Sequence, residues 1–277
     1  MRQGRVVYGG AVHGCTPLGH PGAASGAQTL RLADGRVLDE TQVQWLAPFE
    51  PRTLYTLALN YADHATELAA KSSADQATFL PAQKTEPIIF LKGPGSVVGH
   101  RGLTRRPADA EFMHYECELA VVIGREGRHI PRAQAFDYVR GYTVANDYAI
   151  RNFLEPYYRP NLRVKNRDGG TALGPWLVPR EQVPDPMNLR LTTHVNGKLV
   201  QEGTTADMIH DIASLIEYLS GLMTLSPGDV ILTGTPKGSV DVRPGDEVVC
   251  EVQGVGRLVN TLVADWTPAP MGSGAPP

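Results

Sequence analysis

The chain has 277 residues, of which 42% are hydrophobic, and its 26 Lys and Arg residues against 29 Asp and Glu residues give a formal charge of -3. This composition excludes a collagen, a coiled coil and a disordered protein, and the length suits one large domain or a large domain with a small partner. No excess of positive charge is left to neutralise a phosphate backbone, so we expect no nucleic-acid binding.

The cysteines and the apolar runs predict a cellular compartment. Cys15, Cys117 and Cys250 form no metal-binding spacing, and their odd number favours a reducing environment over a disulfide framework. The longest purely apolar run, at 119–123, is far shorter than the roughly 20 residues of a membrane helix. We therefore expect a cytoplasmic protein that does not span a membrane.

Residues 1–50 combine short β-type runs at 5–8 and 29–32 with a Gly, Ala, Ser and Pro stretch at 14–26. This pattern predicts a small strand-rich subdomain with a long loop, ending near residue 50. Short strands alternate with turns over 51–267, and the Pro-rich tail at 268–277 is expected to be flexible. The predicted fold class is α+β, dominated by strands.

The first candidate catalytic residues lie on an Ala-rich segment, 61–70, that predicts a short helix. His64 and Glu67 are three residues apart and therefore share one face of such a helix. A carboxylate beside an imidazole fixes its tautomer and raises its basicity, as a general base requires. An exposed surface pair is the alternative interpretation.

The run at 114–123 predicts a strand in which Glu116 and Glu118 project from one face and Cys117, Leu119 and Val121 from the other. Two like charges on an apolar strand are unfavourable unless a cation neutralises them or the face is solvated. Both explanations remain open on these residues alone.

A third carboxylate, Asp147, ends the strand-like run at 139–147, and a short helical stretch is predicted over 148–155. Asp147 then serves either as an ordinary helix N-cap or as a site residue. If the two strands are neighbours, three carboxylates converge, and such oxygen ligands select Mg²⁺ or Mn²⁺.

The segment at 159–169 carries Arg163, Lys165 and Arg167 at alternate positions, which would share one face of a strand. Such a group of cations suits a substrate with several carboxylates, and a solvated basic stripe is the alternative. Further on, apolar residues at helical spacing predict a helix over 204–222 with Thr204 as its N-cap.

Two Pro-Gly-Asp turns, at 227–229 and 244–246, each precede a predicted strand. The first of these strands ends in a Gly and Thr turn at 233–236, whose amide and hydroxyl groups can bind a carboxylate, although a plain turn is equally compatible. The sequence contains no dinucleotide fingerprint, Walker loop, serine-hydrolase elbow or zinc-protease motif.

Five segments together resemble the fumarylacetoacetate hydrolase family in order and spacing. They are the residues at 59–64, 87–92, 114–119, 145–147 and 230–238. The resemblance covers residues from about 50 to 266. It implies a mixed β-roll and a divalent cation, usually Mg²⁺ with Mn²⁺ possible, held by Glu116, Glu118 and Asp147.

The resemblance also implies a catalytic dyad of His64 and Glu67 and substrate contacts from Lys165 and Thr235. Arg151, Arg159 and Arg163 are the candidates for binding a remote carboxylate of the substrate. Relatives often carry two tandem copies and this sequence contains one, so pairing with itself or with a related subunit is expected.

Within the family, the segments at 146–151 and 157–169 resemble members that decarboxylate 5-carboxymethyl-2-oxo-hex-3-ene-1,7-dioate and isomerise 2-hydroxyhepta-2,4-diene-1,7-dioate. The implied substrate is a small 2-oxo di- or tricarboxylate. An acylpyruvate or fumarylacetoacetate-type hydrolase and an oxaloacetate decarboxylase are alternatives with the same metal site. A catalytically silent binding protein is the alternative from another class.

Overall fold

The computed structural model describes residues 1–19, 28–63, 86–153 and 162–265. Within these ranges the strands, which form four sheets, outweigh the helices. The prediction of a strand-dominated α+β fold is therefore confirmed. None of the helices in these ranges combines the length and apolar character that crossing a bilayer requires.

The N-terminal sheet has five antiparallel strands in the order β4-β3-β2-β1-β5. They are β1 (Gly4–Tyr8), β2 (Ala11–Leu18), β3 (Thr29–Leu32), β4 (Val37–Asp39) and β5 (Gln44–Leu46). The loop predicted over 14–26 is wrong at its start, because β2 continues to Leu18 by pairing with β3 and buries Cys15 in the core.

Contacts at Trp45 and Glu40 are among those that connect this sheet to the rest of the chain. The rings of Trp45 and Trp176 lie 5.1 Å apart in an edge-to-face arrangement. Glu40, buried in a 3-10 turn after β4, accepts a hydrogen bond from Arg101 Nη2 at 2.8 Å and lies 3.5 Å from His100 Nε2. The predicted boundary at residue 50 stays a prediction.

The main sheet has seven strands in the order β7-β6-β17-β11-β12-β14-β8. They are β6 (Leu54–Ala58), β7 (Ile88–Lys92), β8 (Val97–Val98), β11 (Cys117–Ile123), β12 (Val139–Asp147), β14 (Thr171–Pro179) and β17 (Val230–Leu232). The sheet is mixed, since β17 runs parallel to β6 and β14 parallel to β8.

A second five-stranded sheet, in the order β16-β15-β18-β19-β9, packs against the main one. Its strands are β9 (Gly102–Arg106), β15 (Arg190–Val195), β16 (Lys198–Thr204), β18 (Glu247–Val252) and β19 (Gly256–Ala264). Both Pro-Gly-Asp turns precede strands as predicted, and Gly228 and Gly245 adopt the positive φ that such turns require.

The described helices are α1 (Leu162–Lys165), α2 (Ile212–Leu222) and the 3-10 helices Glu40–Gln42, Pro94–Ser96, Arg132–Tyr138, Arg151–Phe153, Arg180–Gln182 and Thr205–Asp207. The prediction of one helix over 204–222 is wrong, because α2 begins at Ile212 with Asp211 as its N-cap. Thr204 instead ends β16 and caps a 3-10 turn. Met208, which fitted the helical spacing, is buried, and its backbone forms an isolated β-bridge with Tyr61.

The helical stretch predicted over 148–155 is wrong at its start, whereas its last described residues, Arg151–Phe153, form a 3-10 helix. Ala149–Ile150 form strand β13, which pairs with β10 (Met113–His114), and a 3-10 turn follows. The backbone bonds that β10 offers replace those of a helix. Asp147 is therefore not a helix N-cap.

Strand β11 lies in the middle of the main sheet, and both of its faces are covered. Leu119 and Val121 belong to the larger core cluster, whereas Ala120 and Val122 belong to a smaller cluster on the other face. The predicted alternation is thus observed. Glu118 shares the face of Ala120 and Val122, so its carboxyl group projects from a buried strand.

Candidate metal centre

Two antiparallel neighbours bring three carboxylates together. Glu118 lies in β11, Asp147 ends β12, and Glu116 precedes β11, with the Asp147 amide donating to the Glu116 carbonyl at 2.9 Å. One oxygen from each side chain lies within 4.8 Å of the others, and all three residues are buried. A solvated edge, the alternative for Glu116 and Glu118, is therefore wrong.

Glu118 has the environment of a metal ligand. Its side chain is fully buried, its Oε2 accepts a hydrogen bond from the Gly234 amide at 2.6 Å, and its Oε1 has no partner among the described residues. Burial, followed by the negative charges of Asp147 and Glu116, raises the pKa of this carboxyl well above its usual range. A cation would satisfy the unpartnered oxygen, so the donor set fits a divalent ion.

Two buried lysines offset part of the negative charge. Lys165 Nζ lies 2.8 Å from Asp147 Oδ2 and also donates to Glu116, while Lys92 donates to Asp147. Burial opposes the charged form of Lys165, but the carboxylates of Asp147 and Glu116 outweigh it and raise its pKa. Burial lowers the pKa of Lys92 despite the carboxylate of Asp147.

Arg151 faces the carboxylates from the side of β10. Its Nη2 lies 3.4 Å from Glu116 Oε1, and its Nε donates to His114 Nε2 at 2.6 Å. Because His114 Nδ1 lies 3.0 Å from the Tyr115 carbonyl, which can only accept, the ring carries its hydrogen on Nδ1 and accepts at Nε2. Arg151 is thus oriented by a buried histidine.

The other arginines are arranged differently. Arg163, Lys165 and Arg167 do not share a strand face, because residues 162–165 form a helical turn. The Arg163 side chain is 62% exposed and lies 3.8 Å from Asp109, whereas Arg167 lies 3.6 Å from Asp265. Lys165 alone of these three contacts the carboxylates, and Arg159 lies outside the described residues.

The turn after β17 contacts the carboxylates through its backbone. Gly234 has a φ of +88°, and a Cβ there would lie 3.0 Å from the Asn60 Cβ, so the position suits glycine. Its amide binds a carboxylate, as this turn was expected to do, but the carboxylate is that of Glu118. Thr235 follows it and is buried, with its Oγ1 accepting from Gln201 Nε2 at 3.0 Å.

Comparison with known proteins decides the family. Residues 53–263 match the family model described as fumarylacetoacetate (FAA) hydrolase C-terminal. The chain belongs to this family. It is 58% identical over 213 residues to the 4-hydroxyphenylacetate degradation bifunctional isomerase/decarboxylase of Salmonella dublin, across 77% of this chain and 47% of that protein. The chain thus spans about half the length of that curated relative.

Solved structures of this family share the fold. The 2-hydroxyhepta-2,4-diene-1,7-dioate isomerase of Mycobacterium marinum is 32% identical and has a TM-score of 0.77, covering 96% of this chain and 100% of that one. The fumarylpyruvate hydrolase of Pseudomonas aeruginosa, in complex with Mn²⁺ and pyruvate, is 29% identical and has a TM-score of 0.69. The match covers 79% of this chain and 91% of that one. The fold predicted from the family resemblance is confirmed.

The predicted catalytic dyad, His64 and Glu67, lies outside the described residues and stays a prediction. The chain just before it is anchored. Asn60 Nδ2 donates to the Thr233 carbonyl at 2.9 Å and to the His210 carbonyl at 3.0 Å. The segment that leads to the dyad therefore starts beside the turn that binds Glu118.

The sequence analysis did not identify two residues around the carboxylate cluster, Lys92 and His114. A lysine that ends an otherwise apolar strand, at 88–92, is a signal that could have found the first, because a buried amine requires a buried counter-ion. His114 gave no such signal, since its role follows from its pairing with Arg151 in space.

Proposed function

We propose that the chain is a divalent-metal-dependent enzyme that decarboxylates and isomerises 2-oxo-enedioate intermediates of 4-hydroxyphenylacetate breakdown. The observation that carries the proposal is the buried cluster of Glu116, Glu118 and Asp147, with the unpartnered Oε1 of Glu118. The isomerase/decarboxylase of Salmonella dublin and the isomerase of Mycobacterium marinum, to which the chain is similar, support the reaction and the substrate class.

Glu116, Glu118 and Asp147 would hold the metal ion, with Mg²⁺ as the proposed ion and Mn²⁺ as the second candidate. Three carboxylates without a histidine or cysteine ligand suit either of these hard cations. When bound, the ion would supply a Lewis acid that withdraws electrons from a 2-oxo acid.

The charges of the cluster match an anionic substrate. With all three carboxylates ionised, their charge of -3 is balanced by the +3 of Lys92, Lys165 and Arg151. A divalent cation would then leave the cluster with a charge of +2, which suits the two negative charges of a dicarboxylate. The metal-bound site is thus complementary to a dianion.

Lys165 would stabilise the negative charge that develops during the reaction. The C3–C4 double bond of the substrate conjugates C5 with the C2 carbonyl, so the electron pair left at C5 by departing CO₂ can move to the C2 oxygen. An ammonium group already directed into the cluster can donate a hydrogen bond to that oxygen. The isomerisation passes through the same distribution of charge.

Proton transfer is assigned to His64, with Glu67 holding its tautomer. A positioned general acid or base typically raises the rate of the reaction about 10²- to 10⁴-fold. Arg151 is proposed to bind the remote carboxylate, because it lies beside Glu116 and is 26% exposed. Its guanidinium fork suits bidentate binding of a carboxylate.

A C–C hydrolase acting on an acylpyruvate is the second candidate function. The fumarylpyruvate hydrolase of Pseudomonas aeruginosa favours it, because that related structure holds Mn²⁺ together with pyruvate. In such a reaction the same dyad would activate a water molecule. The two functions differ in product, since decarboxylation releases CO₂ and hydrolysis of an acylpyruvate releases pyruvate.

The test is an assay of the purified chain with Mg²⁺, a panel of 2-oxo-enedioates and acylpyruvates, and separate detection of CO₂ and pyruvate. CO₂ release that stops in EDTA supports the proposal. Pyruvate release alone indicates the hydrolase. Stoichiometric Mg²⁺ binding with no turnover would identify a binding protein and contradict the proposal.

The same proposal includes a cytoplasmic location and pairing of the chain with itself or with a related subunit. Three free and buried cysteines agree with a reducing compartment. Sedimentation velocity of the chain alone measures the pairing, and a monomer that turns over substrate at the full rate would contradict it.

A further inference from the structure

A buried chain of hydrogen bonds ends at Thr235. Thr193 Oγ1 donates to Gln201 Oε1 at 2.7 Å, and Gln201 Nε2 donates to Thr235 Oγ1 at 3.0 Å and to the Pro236 carbonyl at 2.7 Å. A carbonyl oxygen can only accept, so the group that faces Pro236 must be the amide NH₂ of Gln201. The direction of every bond in the chain is thereby fixed.

This direction leaves the hydroxyl hydrogen of Thr235 unused. Thr235 Oγ1 is the acceptor toward Gln201, and its hydrogen has no acceptor among the described residues. Thr235 also follows Gly234, whose amide binds Glu118 at 2.6 Å. The free hydroxyl hydrogen therefore belongs to a residue directly beside the carboxylate cluster.

The packing around Gln201 keeps this arrangement rigid. A Cβ at Gly203, two residues further along β16, would lie 2.5 Å from the Pro236 Cβ. A Cβ at Gly238 would lie 2.9 Å from the Val200 carbonyl oxygen. Glycines at both positions allow β16 and the turn at 233–238 to approach closely, so the Gln201 amide is held against Thr235.

We infer that Gln201 is a positioning residue, which keeps the Thr235 hydroxyl hydrogen directed away from β16 so that it donates to a carboxylate oxygen of a 2-oxo acid. The inference rests on the proposed function for the identity of this ligand. A hydroxyl that accepts from an amide with one lone pair can donate only in the remaining directions, which point away from that amide, and bonds to charged acceptors are the stronger kind. Gln201 thus selects an anionic acceptor at Thr235.

The test measures the Kd of oxalate, a stable mimic of a 2-oxo acid, by calorimetry at saturating Mg²⁺. Thr235→Val removes the donor, and Gln201→Glu places an acceptor where the amide was, which turns the hydroxyl hydrogen toward residue 201. Each variant should weaken oxalate binding about 10- to 100-fold. The double variant should be no weaker than Thr235→Val, since both changes remove one hydrogen bond.

Gln201→Met is a second variant, for use if the buried charge of Gln201→Glu unfolds the protein. It leaves the hydroxyl free to rotate, so a smaller loss of about 3- to 10-fold is expected. Glu202→Gln, on the exposed face of β16, is the matched control and should bind oxalate like the wild type. Mg²⁺ affinity without oxalate should be unchanged in Thr235→Val and Gln201→Met, which alter no charge.

Wild-type affinity for oxalate in Gln201→Glu would overturn the inference, as would losses that multiply in the double variant. The proposed function is tested apart from this by turnover. A wild-type protein that binds oxalate but releases neither CO₂ nor pyruvate contradicts the proposed function, while the oxalate affinities of the variants still decide the role of Gln201.

Discussion

Lys165 Nζ lies 2.8 Å from Oδ2 of Asp147, and both side chains are buried. Lys92 donates to the other oxygen of the same carboxylate. Two ammonium groups therefore donate to this buried carboxylate and offset its charge. Glu118, by contrast, has a single backbone donor, and this difference separates the roles that the two carboxylates can play.

Glu118→Gln should abolish metal binding with little effect on the fold. Because burial and the charges of Asp147 and Glu116 raise the pKa of this carboxyl well above its usual range, the metal-free site disfavours its charged form, and a neutral amide of the same shape costs little there. The affinity for Mg²⁺ should fall by more than about 100-fold, beyond what loss of an outer-shell partner typically causes. Calorimetry and thermal unfolding in EDTA measure both quantities. Glu251→Gln, at an exposed position of β18, is the control. Equal Mg²⁺ affinities of Glu118→Gln and this control would contradict a ligand role for Glu118.

Lys92→Met should destabilise the metal-free protein by about 3–5 kcal/mol, because the change leaves Asp147 with one counter-ion fewer in the interior. Mg²⁺ should restore part of this loss, since the cation supplies the missing positive charge. Urea unfolding in EDTA and in Mg²⁺ measures the two free energies of unfolding. Lys198→Met, on an exposed position of β16, is the control. A loss no larger than that of the control would show that Lys92 does not stabilise Asp147.

Arg151→Gln and Arg163→Gln form a matched pair. The first should raise KM for a dicarboxylate about 10- to 100-fold relative to a monocarboxylate analogue, because it removes a charged donor directed into the cluster. The second should change KM less than about twofold, since its guanidinium is exposed and contacts Asp109 and the Phe153 ring rather than the carboxylate cluster. Steady-state kinetics with both substrates decides between the two arginines, and the reverse order would reassign the carboxylate site.

Glu40→Gln should change how stability depends on pH. Burial works to raise the pKa of Glu40, but hydrogen bonds from His100 and Arg101 outweigh it and lower the pKa from 4.5 to about 2. The stability from this carboxylate is thus complete above pH 4.5 and is lost as the pH falls from 4.5 toward 2. Urea unfolding at several pH values should show a shallower decline in the variant over this window. Glu50→Gln, which changes an exposed pair with Arg5, is the control, and parallel curves for Glu40→Gln and the wild type would contradict the assignment.

The sequence predicts the strand positions of the carboxylates well, because the alternation along β11 is a local property. Glu118 and Asp147 each follow from the period of a single strand, and the sheet pairing then brings them together. The predicted helix begins too early, because Met208 is buried in a segment that forms an isolated β-bridge with Tyr61, and helical spacing does not reveal such a bridge. Lys92 and Gln201 act through partners far away in the chain, so only the tertiary structure connects them with the site.

Asn60 has a consequence for how this site can change. Its amide binds the carbonyls of Thr233 and His210, and it comes four residues before His64. A substitution at Asn60 would therefore remove, in one change, a hydrogen bond to the turn that holds Glu118 and another to the residues just before α2. This single amide thus couples the position of a proposed metal ligand to the anchoring of the chain at residue 60.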